Sequence, residues 1–362
     1  MRMKRWITVC MVLVLALEMI GCAADLSGPQ EKTGESTGMT EVEEGKEDSE
    51  KIVLDLSMGN SGVIDRTSGL GTAVNDYIDQ INEWSDGSIT VNLYDGGSLG
   101  NDAELIEGVK NGTLDIFIGM PSGQVSLVPE LAVFDIPCMF TSMEQCNKVL
   151  SGEFFDVIQE CYHAKGLHLL GMGFAYFREL TSNKAIYQAD DLKGLNIRTM
   201  ENKYHMEFWK ALGANPTPLA FSELYIALEQ GLLDAQENPL MQMTSANLGE
   251  VQDYVIYTHH IPYIMTYVVN LEKFEAYPEE VQQMLTEMAH GALAQMAESS
   301  VEENEKLEEL CQEKYGTEFI TLDESTVDAL KLANLPVIDL MKQDIGAELV
   351  DSFVAAVEAA AK

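Results

Sequence analysis

The chain has 362 residues and a formal net charge of −37, from 22 basic and 59 acidic side chains. That excess of acid excludes nucleic acid and anionic membrane surfaces as partners, since both are gripped through surplus Lys and Arg. The length is enough for two lobes of ordinary domain size after a leader and a linker are set aside.

Arg2, Lys4 and Arg5 precede an apolar run, Trp6 to Ile20, interrupted only by Glu18. The run is too short and badly flanked for a spanning helix, so residues 1–21 read as a secretory signal. It ends in Met19-Ile20-Gly21-Cys22, which resembles the lipobox of bacterial lipoproteins. The resemblance implies lipidation of Cys22 and a lipid anchor to the cell membrane, with the body in the periplasm or on the outer face of the cytoplasmic membrane. Glu18, and Met19 where leucine is usual, depart from that pattern. Residues 23–51 are almost wholly polar and acidic; with Cys22 they make a disordered tether, 22–51, reaching roughly 30 Å as a coil. Loss of the leader leaves 19 basic against 58 acidic side chains, a charge of −39.

The body begins with a predicted strand, Ile52 to Ser57. Val74, Tyr77, Ile78, Ile81 and Trp84 recur at helical spacing up to a stop at Gly87. Ile89 to Tyr94 is a second strand, Leu105 to Asn111 a helix closed by Gly112, and Leu114 to Ile118 a third strand. This alternation predicts an α/β fold whose sheet is mostly parallel. The phrase helix, glycine, Leu-Asp, proline occurs twice: Glu104-Leu105, Gly112, Leu114-Asp115, Pro121, and again Glu223-Leu224, Gly231, Leu233-Asp234, Pro239. Such an echo predicts two similar lobes. A ligand cleft would then lie outside the strand ends, between Asp115–Pro121 and Asp234–Pro239. From Pro278 to Gly316 the pattern is helical, roughly 50 Å if unbroken, with Gly291 a place to bend. Val281, Leu285, Met288, Ala292, Met296, Leu307 and Leu310 are its candidate buried positions. Glu302 to Glu309 reads as a solvated face.

Nothing in the sequence supports catalysis, a cofactor or a metal: no HExxH, GxSxG, P-loop or full GxGxxG occurs, and the histidines lack ligand spacing. Asp234 and Glu237 read as structural caps. Cys138, Cys146, Cys161 and Cys311 contain no CxxC and are either buried thiols or disulfide partners.

Beyond the leader there are three arginines, Arg66, Arg178 and Arg198. Arginine grips a carboxylate through a rigid planar fork, so scarce arginines among many acids point to a site for a small organic anion. Leu195 to Met200 is a predicted strand that places Asn196 and Arg198 on one face. Tyr204 to Leu212 is a helix ended by Gly213, and Ser222 is expected to cap the next helix. Asn238, before Pro239, is held extended and offers an amide to an anion. Tyr176, Phe177 and Tyr204 line a pocket or pack the core, His205 faces ligand or solvent, and Met241-Gln242-Met243 reads as packing.

Residues 191–240, DLKGLNIRTMENKYHMEFWKALGANPTPLAFSELYIALEQGLLDAQENPL, resemble the signature of DctP-type solute-binding subunits of tripartite ATP-independent periplasmic (TRAP) transporters. SLGNDAELIEGVKNGTLDI at 98–116, FDIPCMF at 134–140, RELTSNKAI at 178–186 and YPEEVQQ at 277–283 extend the resemblance over nearly the whole body. It implies a two-lobed, periplasmic-binding-protein-like (type II) fold with a hinged cleft and a long helix crossing both lobes. The lobes are expected at 52–175 with 264–303, and at 176–263 with 304–362. The implied function is capture of a small organic acid and delivery to a permease of one small and one large membrane subunit.

By the same resemblance Arg198 clamps the carboxylate, Asn238 helps hold it, and Arg178 is a second ligand-facing arginine. Phe221 packs on the ligand and Asp102 meets its polar groups. Met120 stands where sialic-acid binders carry an acid, which argues against that ligand. A sugar acid such as a uronate or aldonate is the leading candidate. A C4-dicarboxylate, with Arg178 or Arg66 on a second carboxylate, and a sensing module feeding a receptor are the alternatives.

Overall fold

The computed structural model describes residues 51–59 and 64–361. The expected leader, Cys22 and the tether to residue 50 lie outside the described residues. Among the described residues nine strands form one mixed sheet: β1 Ile52–Ser57, β2 Ile89–Tyr94, β3 Ile116–Gly119, β4 Leu167–Ser182, β5 Asn196–Thr199, β6 Asn215–Pro218, β7 Ala235–Asn238, β8 Tyr254–Asn270 and β9 Glu318–Thr321. The order is β2-β1-β3-β8-β4-β7-β5-β6, with β9 on β8. The expectation of a mostly parallel sheet holds for the flanks, where β1 pairs β2 and β3, and β5 pairs β6 and β7. The centre differs, because the long β4 and β8 run antiparallel. The alternation of short strands with helices signals only the flanks; nearly continuous apolar runs such as Leu167–Tyr176 carry no directional information.

The register explains why a cleft forms. β3 climbs β8 from Val269 to Thr266, so its carboxyl end points at the middle of the long ladder. β7 climbs β4 from Ser182 to Glu179 and points at the same middle from the other end. Two parallel flanks thus aim their carboxyl ends at each other, the position where open α/β sheets take ligands.

The helix Glu279–Tyr315 is unbroken at Gly291 and ends on Gly316, whose φ of 74° suits a residue without Cβ. Val281, Leu285, Ala292 and Met296 are buried, Met288 and Leu307 partly so, and Leu310 is 43% exposed. The acidic run is not wholly solvated. Glu303 accepts the Gly69 N–H at 2.8 Å and the Tyr176 hydroxyl, tying this helix to the helix Gly69–Trp84 and to β4. The expected lobe boundaries fall within β4, β8 and this helix. Phe353 packs edge-on against Phe134 and Phe140 and tilted against Phe154, across that expected division. All four body cysteines are free thiols.

Candidate functional site

A cavity lies at the convergence of the strand ends. Its walls are Met58 and Gly59 after β1, Ile118 to Met120 at β3, Arg198 and Met200 at β5, Asn238 at β7, and Arg178, Tyr263 and Met265 from the central ladder. Asp102, Phe221 and Gln242 complete it, and water centres can occupy about 40 Å3 within it. A neighbouring recess of about 250 Å3 shares Asp102, Arg198, Met200 and Phe221. Arg178, Arg198, Asn238, Phe221 and Asp102, singled out from sequence, are therefore brought together.

Arg66 is not. It is half exposed and pairs with Asp76 and Asp79, about two and three turns into the helix Gly69–Trp84, and it is not among the cavity's lining residues. Its adjacent acids give it a solvated ion pair of small energetic consequence.

Arg198 and Arg178 share a charge but differ in occupancy. Arg198 is 4% exposed and donates Nε to the Leu219 carbonyl at 2.8 Å. No other partner for its guanidinium occurs among the described residues, apart from the Phe221 ring at 6.0 Å. Burial lowers its pKa to about 10, with nearby Arg178 adding to the shift against Glu237 and Glu201, so it stays a cation at neutral pH. Arg178 is 1% exposed and commits Nε and Nη2 to Glu237, the latter at 3.0 Å to Oε1 and 2.5 Å to the backbone oxygen. Among the described residues its Nη1 meets only the Met120 sulfur, at 3.7 Å.

Glu237 is the centre of a buried charge network rather than a cap. His205 Nδ1 lies 3.4 Å and His260 Nε2 3.2 Å from its carboxylate. His205 Nε2 reaches Asp135 at 3.2 Å, and Asp135 also accepts from Ser122 and, at 2.7 Å, from Asn202. Burial disfavours charge on His205, but Glu237 and Asp135 outweigh it and raise the pKa to about 9. His205 is thus neither on the surface nor against a ligand; it is a buried cation. Burial would raise the Glu237 carboxyl, yet Arg178 and His205 hold it well below the usual range. Burial keeps His260 neutral, consistent with Nε2–H donating to Glu237 and Nδ1 accepting from Thr258 at 2.8 Å.

Local sequence explains this placement. A register shift between Arg178 and Leu180 bulges the β4–β8 ladder, and His259 sits at φ 43°. Glu179 fills the bulge by accepting the Thr258 and His259 N–H groups at 2.7 and 2.9 Å. The extra residues turn His260 inward while Arg178 faces the cavity, a common use of a bulge. Asn238 donates to Gln236 at 2.6 Å, which donates to Thr181 at 2.8 Å, fixing the amide beside the arginines.

Asp102 opens the helix Asp102–Lys110 behind a capping box of Asn101 and Glu104. Its carboxylate is packed so closely that a Cβ on Gly59 or Gly123 would come within 2.4 Å of it. The helix that follows β6 starts at Phe221 with Ala220 as N-cap, so Ser222 is inside the first turn and does not cap it. Sequence reading missed Gln242, Tyr263 and Met58 as lining residues; Gln242, one turn past Pro239, has no periodic or motif signal. Tyr176 and Tyr204 are buried and Phe177 half-buried, and none of the three lines the cavity.

A pocket with two buried guanidiniums, one of them unmatched, and a rim of apolar side chains makes a receptor for a small anion. No group of His, Cys, Asp and Glu among the described residues could hold a metal ion. The chain belongs to the bacterial extracellular solute-binding proteins of family 7, whose profile matches residues 61–344. It is 31% identical over 257 residues to the 2,3-diketo-L-gulonate-binding periplasmic protein of Escherichia coli, covering 71% of this chain and 78% of the relative. The TRAP periplasmic solute-binding protein of Polaromonas sp. JS666, solved with D-erythronate, superposes with a TM-score of 0.76 at 27% identity, over 84% of this chain and 99% of that one. The sugar acid binding protein of Advenella mimigardefordensis, solved with galactonate, gives 0.79 at 26% identity, over 86% and 99%. The two-lobed α/β fold is shared with these proteins, and no helix among the described residues is long and apolar enough to cross a membrane.

Proposed function

We propose that this chain is the solute-capturing subunit of a TRAP transporter and that it binds a small monocarboxylate of the sugar-acid class, performing no chemistry on it. The observation that carries this reading is the state of Arg198: buried, cationic, and joined by hydrogen bond to one backbone carbonyl only among the described residues. A buried unmatched cation is costly without a counter-ion, and a ligand carboxylate supplies one through charge-assisted bonds. Arg178 Nη1 and the Asn238 amide add donors, Phe221 covers the guanidinium, and Asp102 meets polar groups of the ligand.

A single carboxylate fits better than two. Glu237 already neutralises Arg178, and Arg66 is elsewhere. The relatives named for diketogulonate, erythronate and galactonate support the sugar-acid class. Delivery is to a membrane permease of a small and a large subunit, and the chain is held at the membrane by lipid on Cys22 after loss of residues 1–21.

Calorimetric titration and thermal unfolding with a panel of aldonates, uronates and C4-dicarboxylates test this. A true ligand at a hundred times its Kd adds about 2.7 kcal/mol of stability. Binding that survives intact in Arg198→Ala, or a preference for dicarboxylates, sinks the reading.

A further inference from the structure

Gln242 and Tyr263 form a pair of polar groups that the fold buries and leaves half spent. Gln242 is 2% and Tyr263 4% exposed, and both line the cavity. Gln242 Nε2 donates to the Tyr263 hydroxyl at 3.3 Å. Gln242 Oε1 is buried with no hydrogen-bond partner. The Tyr263 oxygen accepts that bond, and no acceptor for its own proton occurs among the described residues. A buried amide oxygen without a partner is costly, and Gln242 is the one residue with such an atom, among the described residues, that also lines the cavity, where a ligand can supply the missing donor.

Gln242 and Tyr263 together present one free acceptor and one free donor on the same wall. Turning the amide over makes Tyr263 donate to Oε1 and frees an N–H and a phenol lone pair, which leaves the same complement. Burial holds the phenol protonated, and Asp102 reinforces this. An alcohol hydroxyl matches the pair, giving its proton to one group and accepting from the other. A methylene satisfies neither, and a carbonyl or carboxylate oxygen satisfies only the donor. Flexible packing explains the neighbours Met241 and Met243, but not a buried carbonyl with no donor.

From this geometry we infer that Gln242 and Tyr263 are specificity-determining residues that read an alcohol hydroxyl on the ligand, so that the site selects hydroxylated over unsubstituted monocarboxylates. The inference rests on the carboxylate reading of Arg198. Sites built to bond a hydroxyl reject the analogue without it far more strongly than apolar pockets reject an added one, because the analogue strands the buried groups.

The experiment compares D-galactonate, D-erythronate and butanoate, the last lacking every hydroxyl of erythronate, by calorimetric titration of the full chain and of Gln242→Met and Tyr263→Phe. The wild type is expected to bind at least one polyhydroxy acid more than about a hundredfold tighter than butanoate, and each variant to shrink that ratio by about tenfold or more. Gln242→Met retains the side chain's shape and removes the unpartnered oxygen, so its ligand-free melting temperature should match or exceed the wild type's. A Tyr263→Phe chain that folds but keeps the wild-type ratio overturns the inference, as does a wild type indifferent to the hydroxyls. If those results come with Arg198-dependent binding of the acids, the carboxylate reading stands and only the hydroxyl reading falls. A wild type that binds none of the three acids removes both.

Discussion

Arg178 and Glu237 lie on neighbouring strands, and the guanidinium of one spends Nε and Nη2 on the other while Nη1 faces a methionine sulfur. This division lets Arg178 belong to the core and to the cavity at once. It also leaves Arg198 as the cavity arginine whose charge is not matched by a direct partner among the described residues.

Arg198→Ala is expected to weaken carboxylate binding by about a hundredfold or more, ~3 kcal/mol, as for truncation of a buried charge partner. Arg198→Lys should bind more weakly than wild type, because an ammonium cannot reproduce the planar fork. The ligand-free stability of Arg198→Ala should hold or rise, since an uncompensated buried charge is removed. Titration and urea denaturation on the same samples check both.

Glu237→Gln should behave oppositely. Arg178 and His205 would lose their shared counter-charge, at a cost of about 3–5 kcal/mol. Urea unfolding of the ligand-free chain reads this, and a stability equal to wild type would show that the network is not needed for folding.

The pH dependence follows from His205. Its folded-state pKa of about 9 lies above the ordinary 6.5. A group shifted that way stabilises fully below its unfolded value and stops as pH rises through its folded value. Stability should therefore fall between about pH 7 and pH 9.5, by a few kcal/mol in order of magnitude. His205→Gln should be less stable at pH 7 and flatter over that range. Melting temperatures across the range decide it.

Gly123→Ala places a Cβ within 2.4 Å of the Asp102 carboxylate. The Asp102 Cβ would also lie 2.6 Å away, so the start of its helix must shift, at an overpacking cost of about 1–3 kcal/mol. Affinity for hydroxylated acids should drop while the chain still folds, measured by titration and circular dichroism.

Local features were legible because they are written in neighbouring residues. The strands Ile52–Ser57 and Ile89–Tyr94 coincide with the predicted segments, the long helix runs between the Pro278 and Gly316 signals, and the dense segment 191–240 pointed to the family. The scarcity of arginine and the extended Asn238-Pro239 step drew attention to residues that do meet in one cavity.

Pairing across distance was not legible. Arg178 and Glu237 are 59 positions apart, and the Asp135 that shares His205 with Glu237 lies 70 positions from that histidine. Composition alone cannot say which arginine is neutralised, that Arg66 is spent on acids of the neighbouring helix, or that Gln242, a cavity-lining residue, keeps an unpaired oxygen. The sequence by itself determined the elements, the family and the residues able to hold an anion, because propensity, capping and turn chemistry act over a few residues. Only the tertiary structure decided which of those groups remain free, because burial and hydrogen-bond partnership are properties of strands brought together by the β4–β8 ladder.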